Sequence, residues 1–320
     1  MITHEEVSWA YRLLLGREPE SEAVVNHYAT HLKSRHALRS LFLQSDEFRT
    51  AMPQAPATRQ PMGLGGPAMA VQLDAPADKL AALFAKVSQQ WHHLGETEPH
   101  WSVITSQSYL QNNIEATAHA FYASGDAELK VFDAALARAG QAGRVFAGAV
   151  ELGCGVGRVT AALARRCGQV WGVDISANHL KLAADHVTDQ GLTNVQLHHA
   201  VGVDDVAPAP TFDLFYSRIV LQHNPPPVMH RMLALLLGRL ASGGVAYFQV
   251  PTYKAGYSFD IDSYLATDNA THMEMHYLPQ QALFALLAQC QCQLLELRED
   301  DAIGLSPNAV SNTVLLQKLG

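Results

Sequence analysis

Residues 150–163 read VELGCGVGRVTAAL, an apolar run that breaks into glycines at alternate positions, Gly153, Gly155 and Gly157, and then resumes with helical periodicity. A residue without Cβ lets the backbone approach a ligand closely and adopt positive φ, so a glycine-rich junction between strand and helix is a ligand-accepting turn. What the loop lacks narrows the ligand. A triphosphate loop of the G-x-x-x-x-G-K-[ST] kind needs a lysine, and the first basic residue here is Arg158. The dinucleotide fingerprint G-x-G-x-x-G needs glycine where Arg158 stands. What remains is Glu151 before the first glycine, the glycines themselves, and a second apolar segment, VWGVD, ending in Asp174. A carboxylate at that place can accept two hydrogen bonds from a ribose diol.

The sequence downstream repeats this rhythm. Strand patterns fall near 145–152, 169–174, 194–199, 212–217, 244–250, 292–298 and 312–318, and helical ones near 158–167, 177–190, 226–241 and 279–289. The alternation predicts an α/β fold over 144–320, a Rossmann-like, doubly wound and mostly parallel sheet with helices on both faces. Residues 79–143 read as a helical N-terminal cap, clearest where Leu129, Phe132 and Leu136 align before Gly140. Residues 51–78, rich in Pro, Gly, Ala and Gln without periodicity, read as a flexible linker. Before them, residues 1–50 form a small all-helical module of three short helices. Val7, Ala10, Tyr11 and Leu14 share a face ahead of Gly16, a second pattern runs from Pro19 to about Leu32, and a third carries Leu38, Leu41 and Phe42 to Ser45.

Composition sets the partners. With 48% hydrophobic residues in 320, the chain can bury one large core and one small one. It has no 18-residue apolar run, and its start, MITHEEVSWAYRLLLGRE, carries charges where a signal peptide needs an apolar stretch. A cytoplasmic chain without membrane insertion is expected. Cys154, Cys167, Cys290 and Cys292 are too few for a disulfide framework and read as reduced thiols. A net charge of -8 with scattered Lys and Arg argues against a nucleic-acid partner.

Taken together, VELGCGVG and VWGVDIS resemble the first two motifs of the class I S-adenosylmethionine-dependent methyltransferases. FDLFYSRIVLQH and ASGGVAYFQVP resemble the family's fourth- and fifth-strand segments, in the same order, and the resemblance covers residues 145–320. It implies a seven-stranded sheet whose last strand is antiparallel, and S-adenosyl-L-methionine as cofactor. On this resemblance Gly153, Gly155 and Gly157 pack against the methionine moiety, Glu151 lies near its amino group and Asp174 holds the ribose. Cys154, Arg158, Ile175 and Ser217 fall within the same cofactor site. Where the family often has an acidic residue for adenine, this chain reads HHAVGVDDV. Val201 and Gly202 take that position, so a backbone contact or Asp204 would serve the base.

Methyl transfer from a sulfonium needs alignment and desolvation more than a metal or an oxyanion hole, and a base only where the acceptor has a proton to lose. His223, after the fourth strand, is at the end of the sheet where ligands bind, and is the candidate catalytic base or acceptor contact, flanked by Gln222 and Asn224. Segment 91–122, with Trp101, Tyr109 and Asn113, and insertion 252–280, with Tyr253 and His276, are the candidate acceptor-binding and lid elements. His272 and His276 have chelating spacing if helical, but further ligands are not evident and no metal is expected. YRLLLGREPESEAV and LRSLFLQSDEF resemble the phycobilisome-linker-like helical domain over Glu5 to Phe48, with Tyr28 in place of a second-helix tryptophan. That resemblance implies association with glycan modification, or a docking module for a protein partner. The expected activity is therefore methylation of a small polar or glycan acceptor, at oxygen. The alternatives are N- or C-methylation of a small metabolite, and a catalytically silent cofactor-binding scaffold.

Overall fold

The computed structural model describes residues 2–45, 47–48, 66–209, 211–267, 273–304 and 308–320. The chain divides into two units, Met1–Gln60 and Pro61–Gly320.

In the first unit, α1 (His4–Ala10) begins with a reciprocal cap, in which Glu6 N donates to Thr3 Oγ1 and Thr3 N to Glu6 Oε2. It continues as a wide turn over Tyr11–Leu15 and stops at Gly16, whose φ of 68° is left-handed. Ser21 caps α2 (Glu22–His31) and Ser34 caps α3 (Arg35–Gln44). Val7, Tyr11, Val25, Leu38 and Phe42 make the core, and Tyr28 packs against Phe42 with ring centroids 6.3 Å apart.

The second unit carries the sheet. Its strands are β1 (Phe146–Leu152), β2 (Cys167–Asp174), β3 (Val195–His199), β4 (Phe212–Ser217), β5 (Leu240–Lys254), β6 (Cys292–Asp300) and β7 (Ala309–Lys318). Their spatial order is β3-β2-β1-β4-β5-β7-β6, parallel except for β7, which runs antiparallel to both neighbours. The order reverses between β1 and β4, and the crevice beyond their carboxyl ends is where such sheets bind ligands. β1 and β4 are almost wholly buried, as parallel strands covered on both faces must be. One face is covered by α4 (Ala77–Thr97), α9 (Pro226–Arg239) and α11 (Gln280–Gln289), through Leu83, Met229, Leu233 and Leu286. The other is covered by α6 (Ile114–Arg138) and α7 (Arg158–Ala164), through Leu129, Phe132, Val159 and Leu163. α5 (Pro99–Val103) and α8 (Ala177–Asp189) flank the glycine loop.

The differences from the expected elements have local causes. β5 passes Pro251 because the proline sits at a bulge, with the register shifting between Pro251 and Tyr253 where no ladder N–H is required. α7 ends early, since Arg166 N turns back to Leu163 O and β2 already begins at Cys167. The expected linker is packed where it is described. Ala70–Val71 pairs in parallel with Ser258–Phe259, and Gln72 Oε1 accepts from Ile261 N. Residues 67–72 are therefore held against residues 253–261 of the insertion. The helical cap is seated by two close approaches: a Cβ on Gly95 would lie 2.3 Å from Ser176 Oγ, and one on Gly125 2.2 Å from the Arg158 carbonyl oxygen. Among the described residues no helix is long and apolar enough to cross a membrane, and all four cysteines are free thiols.

Candidate active site

The loop after β1 is built as its sequence demands. Gly153, Gly155 and Gly157 have φ of 73°, 53° and 82°, a region that L-residues other than glycine rarely occupy. Gly153 N and Cys154 N both donate to Val173 O, which ties the loop to the end of β2. Asp174 is buried and spans the turn: Oδ2 accepts from Gly155 N at 2.8 Å and Oδ1 from Ser176 N at 2.9 Å. Asp174 thus stands in the wall of a cavity lined also by Trp91, Val173, Ile175, Val220 and Met232. This cavity shares Ser102, Val103, Gly153, Arg218 and Ile219 with a second, larger cleft. Glu151, Arg158, Gln222, His223, Met273 and Met275 line that second cleft.

At the floor between them, Glu151 is buried and accepts from Thr160 Oγ1 at 2.6 Å. Burial, only partly opposed by the Thr160 hydrogen bond and the Arg158 charge, pushes its carboxyl up to about 8. It is mostly neutral at pH 7, and an ammonium placed beside it would drive its proton off. Glu128, on α6, accepts from Arg158 and, at 3.0 Å, from Tyr216 Oη. Ile219, at the junction, has a φ of 59°, a strained value for a β-branched residue. Its N–H is held by Gln249 Oε1 at 3.1 Å, and Gln249 donates in turn to Ser311 Oγ.

His223 is buried with both ring nitrogens engaged: Nδ1 lies 2.9 Å from Glu274 O and Nε2 3.1 Å from Gln222 Nε2. The Glu274 carbonyl can only accept, so Nδ1 carries the proton and Nε2 accepts from the Gln222 amide. Burial lowers its pKa to about 4. The imidazole is neutral at pH 7, and both its nitrogens are occupied.

The structure brings together most of the residues expected to hold the cofactor and leaves others apart. Glu151, Gly153, Cys154, Gly155, Arg158, Asp174 and Ile175 line the joined cleft, with Gln222, His223 and Asn224 beside them. Gly157 packs behind the loop, where a Cβ would lie 3.1 Å from Ala183, and Ser217 Oγ donates to Leu152 O beneath it. Val201 is exposed, Gly202 lies beside it outside both cavities, and Asp204 is paired with Arg231 at 2.7 Å on a separate surface cleft. The adenine position expected there is not formed by these side chains.

Three aromatic-segment candidates also lie outside the cleft. Trp101 is in neither lining, because on α5 its neighbours Ser102 and Val103 take the inward positions. Tyr109 packs edge-on against Phe121 at 5.0 Å, and Asn113 donates to Gln107 O on a shallow outer cleft. In the insertion, Tyr253 Oη donates to Pro67 O, and His276 sits in a cage of Tyr257, Phe259 and Tyr264. The His276 backbone N–H donates to Gln222 O, so the insertion pins the loop after β4 through its main chain. His272 lies outside the described residues, and among those described no group of three metal-ligating side chains converges. Trp91, the first residue of segment 91–122, does line the first cavity, and His179, Glu128 and Arg218 join the linings without having been singled out in sequence. Of these three, Arg218 carries a local signal, a charge set directly after an apolar strand.

The fit for S-adenosylmethionine is good on this geometry: a cradle that a Cβ at Gly153 would fill, a fixed carboxylate at Asp174 and a buried Arg158 Nε without a hydrogen-bond partner. Sheet order and site together define a Rossmann-like, doubly wound α/β domain with a glycine-lined ligand cleft at its switch point. Residues 149–244 match a family described as a methyltransferase domain. Trans-aconitate 2-methyltransferase of Deinococcus radiodurans is 40% identical over 110 residues, 34% of this chain and 39% of that protein. The chain thus matches about two fifths of the length of that curated relative. The crystal structure of magnesium protoporphyrin IX methyltransferase from Synechocystis PCC 6803, with bound S-adenosylhomocysteine, shares the fold at a TM-score of 0.50 and 13% identity, covering 73% of this chain and 99% of that one. An N-methyltransferase from Bradyrhizobium japonicum WM9 aligns with a TM-score of 0.43 at 16% identity, over 59% and 86%.

A carboxyl held neutral by burial at Glu151 predicts that an ammonium-bearing ligand binds with proton release. At pH 7, S-adenosylhomocysteine should release about one proton per site, measured by calorimetry in buffers of different ionisation enthalpy. Glu151→Gln should abolish the release. The same shift bears on stability: a carboxyl with its folded pKa raised from 4.5 to about 8 contributes fully below about 4.5, and that contribution is lost as pH rises through 8.

Proposed function

We propose that this protein transfers the methyl group of S-adenosylmethionine to an oxygen of a small polar acceptor, by direct in-line displacement in the cleft beyond β1 and β4. The observation that carries the reading is the continuity of the two cavities through Gly153, Arg218 and Ile219, which sets a cofactor cradle end to end with a larger second space. The cofactor supplies an electrophilic methyl carbon on a cationic sulfur. The protein's part is to bind and align: Asp174 for the ribose, Glu151 for the ammonium, Arg158 for the carboxylate, and Ile219 as the wall between cofactor and acceptor. His223 acts here as a positioning residue. It orients the Gln222 amide and, through Glu274 O, fastens the insertion over the acceptor space. With the imidazole neutral and occupied, the acceptor must arrive already nucleophilic. We place the activity in the cytoplasm and assign the N-terminal helices to docking.

Incubation with S-adenosylmethionine and a panel of carboxylic acids, phenols, amines, activated sugars and oligosaccharides, read by mass spectrometry for a methyl-sized gain and its fragmentation site, tests the reading. An O-methyl product supports it; methylation at nitrogen or carbon, or no transfer to any member, contradicts it. On a true acceptor, kcat should show no limb near pH 6.5, because burial holds His223 near 4. A limb at 6.5 that vanishes in His223→Gln would restore it as the base.

A further inference from the structure

The acceptor side of the cleft holds a cation whose hydrogen-bonding capacity is unspent. Arg218 follows β4 directly and lines both cavities. Its side chain is 19% exposed and its Nε is buried without a hydrogen-bond partner. Its ion pair among the described residues, with Glu128, is 3.9 Å long. Glu128 meanwhile accepts from both Arg158 and Tyr216, so its oxygens are taken up by these donors and Arg218 stands 3.9 Å off. The second cleft also presents apolar side chains, from Ile104, Met273, Met275 and Ile303, beside its polar ones. A second group is also unspent: His223 fixes Gln222 Nε2, which leaves the buried Gln222 Oε1 as an acceptor with no donor.

We propose that Arg218 binds a carboxylate on the acceptor and presents it for methylation, so that the substrate is a small carboxylic acid with an apolar body and a hydrogen-bond donor for Gln222. The proposal rests on the methyltransferase reading above. A guanidinium fork matches a carboxylate in two parallel hydrogen bonds and fixes the plane from which the free lone pair attacks. The chemistry closes without a base. An electron pair of the carboxylate oxygen forms the new O–CH₃ bond as the C–S bond breaks, and that bond's pair stays on sulfur. Anion and sulfonium charges cancel to an ester and a thioether, and no proton is released.

The test is calorimetric. Hexanoate and octanoate, each against its primary amide, are titrated into the full chain saturated with S-adenosylhomocysteine. The acids should bind at least about tenfold more tightly than the amides, the scale of one charge-assisted hydrogen bond. Arg218→Met should remove that preference while S-adenosylhomocysteine affinity stays within about threefold; if that variant does not fold, Arg218→Lys, keeping the charge but not the fork, should lose most of it. Equal binding of acid and amide, or an acid preference that survives in Arg218→Met, overturns the proposal. So does a variant that weakens S-adenosylhomocysteine but not methylthioadenosine, since the guanidinium would then serve the cofactor's own carboxylate. Failure of S-adenosylhomocysteine to bind the parent protein would instead remove the reading beneath it.

Discussion

Asp174→Ala should lower the affinity for S-adenosylhomocysteine by about 10- to 100-fold or more, while the second unit stays folded. The carboxylate does two things at once. It is placed to accept the ribose hydroxyls, and it already accepts Gly155 N and Ser176 N, which sets the loop and the start of α8 before any ligand arrives. Hydrogen bonds to a charged group contribute roughly 1.5–3 kcal/mol each, and about 1.4 kcal/mol is tenfold in affinity. Folding should survive because the β1–β2 ladder and the Val173 O contacts do not involve this side chain. Asp174→Asn keeps the shape but not the charge and should fall between parent and Ala. Unchanged affinity in a folded Ala variant would mean that the ribose is held elsewhere.

Gly153→Ala should be at least as damaging to binding. An L-residue in the left-handed region costs about 1–2 kcal/mol, and the new Cβ would stand 2.2 Å from Val220 Cγ2. Either the loop or Val220 must move, and both border the cofactor cavity. Affinity should fall by about 100-fold or more, with a melting temperature a few degrees lower, as expected for about 1–2 kcal/mol in a unit of this size. Val220→Ala in the same chain should restore part of the affinity, since it removes the two nearest methyl groups. No recovery in the double variant, with the single variant folded, would place the damage in the backbone rather than in the clash.

The sheet was legible because its determinants are local. β1, β2 and β4 are short apolar runs closed by turn residues, and Gly153, Gly155 and Asp174 announce the switch point where the ligand sits. The acceptor wall was not, because it is assembled from segments far apart in sequence. Val103 and Ile104 come from the cap, Arg218 from the turn after β4, and Met273 and Met275 from the insertion. Choosing Trp101 over Ser102 and Val103 shows the limit: periodicity finds a helix, but which face turns inward depends on Gly95 seating α4 against Ser176 and His179. His223 shows another. Its position after β4 could be read, but its neutrality follows from burial, which outweighs the opposing hydrogen bond to the carbonyl of Glu274, 51 residues away, that fixes its tautomer. The pairing of residues 67–72 was hidden in the same way, since a Pro- and Gly-rich composition does not reveal a partner strand at Ser258–Phe259.

The cofactor is tested most directly by the melting temperature of the purified chain with S-adenosylhomocysteine, NAD or ATP, each across a concentration series. A ligand that binds only the folded state stabilises it by about 2.7 kcal/mol at a hundredfold excess over its dissociation constant. S-adenosylhomocysteine should raise the melting temperature in this concentration-dependent way, and NAD and ATP should leave it unchanged. A rise with NAD or ATP and none with S-adenosylhomocysteine would contradict the assignment of the glycine loop, Glu151 and Asp174 to an adenosyl sulfonium cofactor.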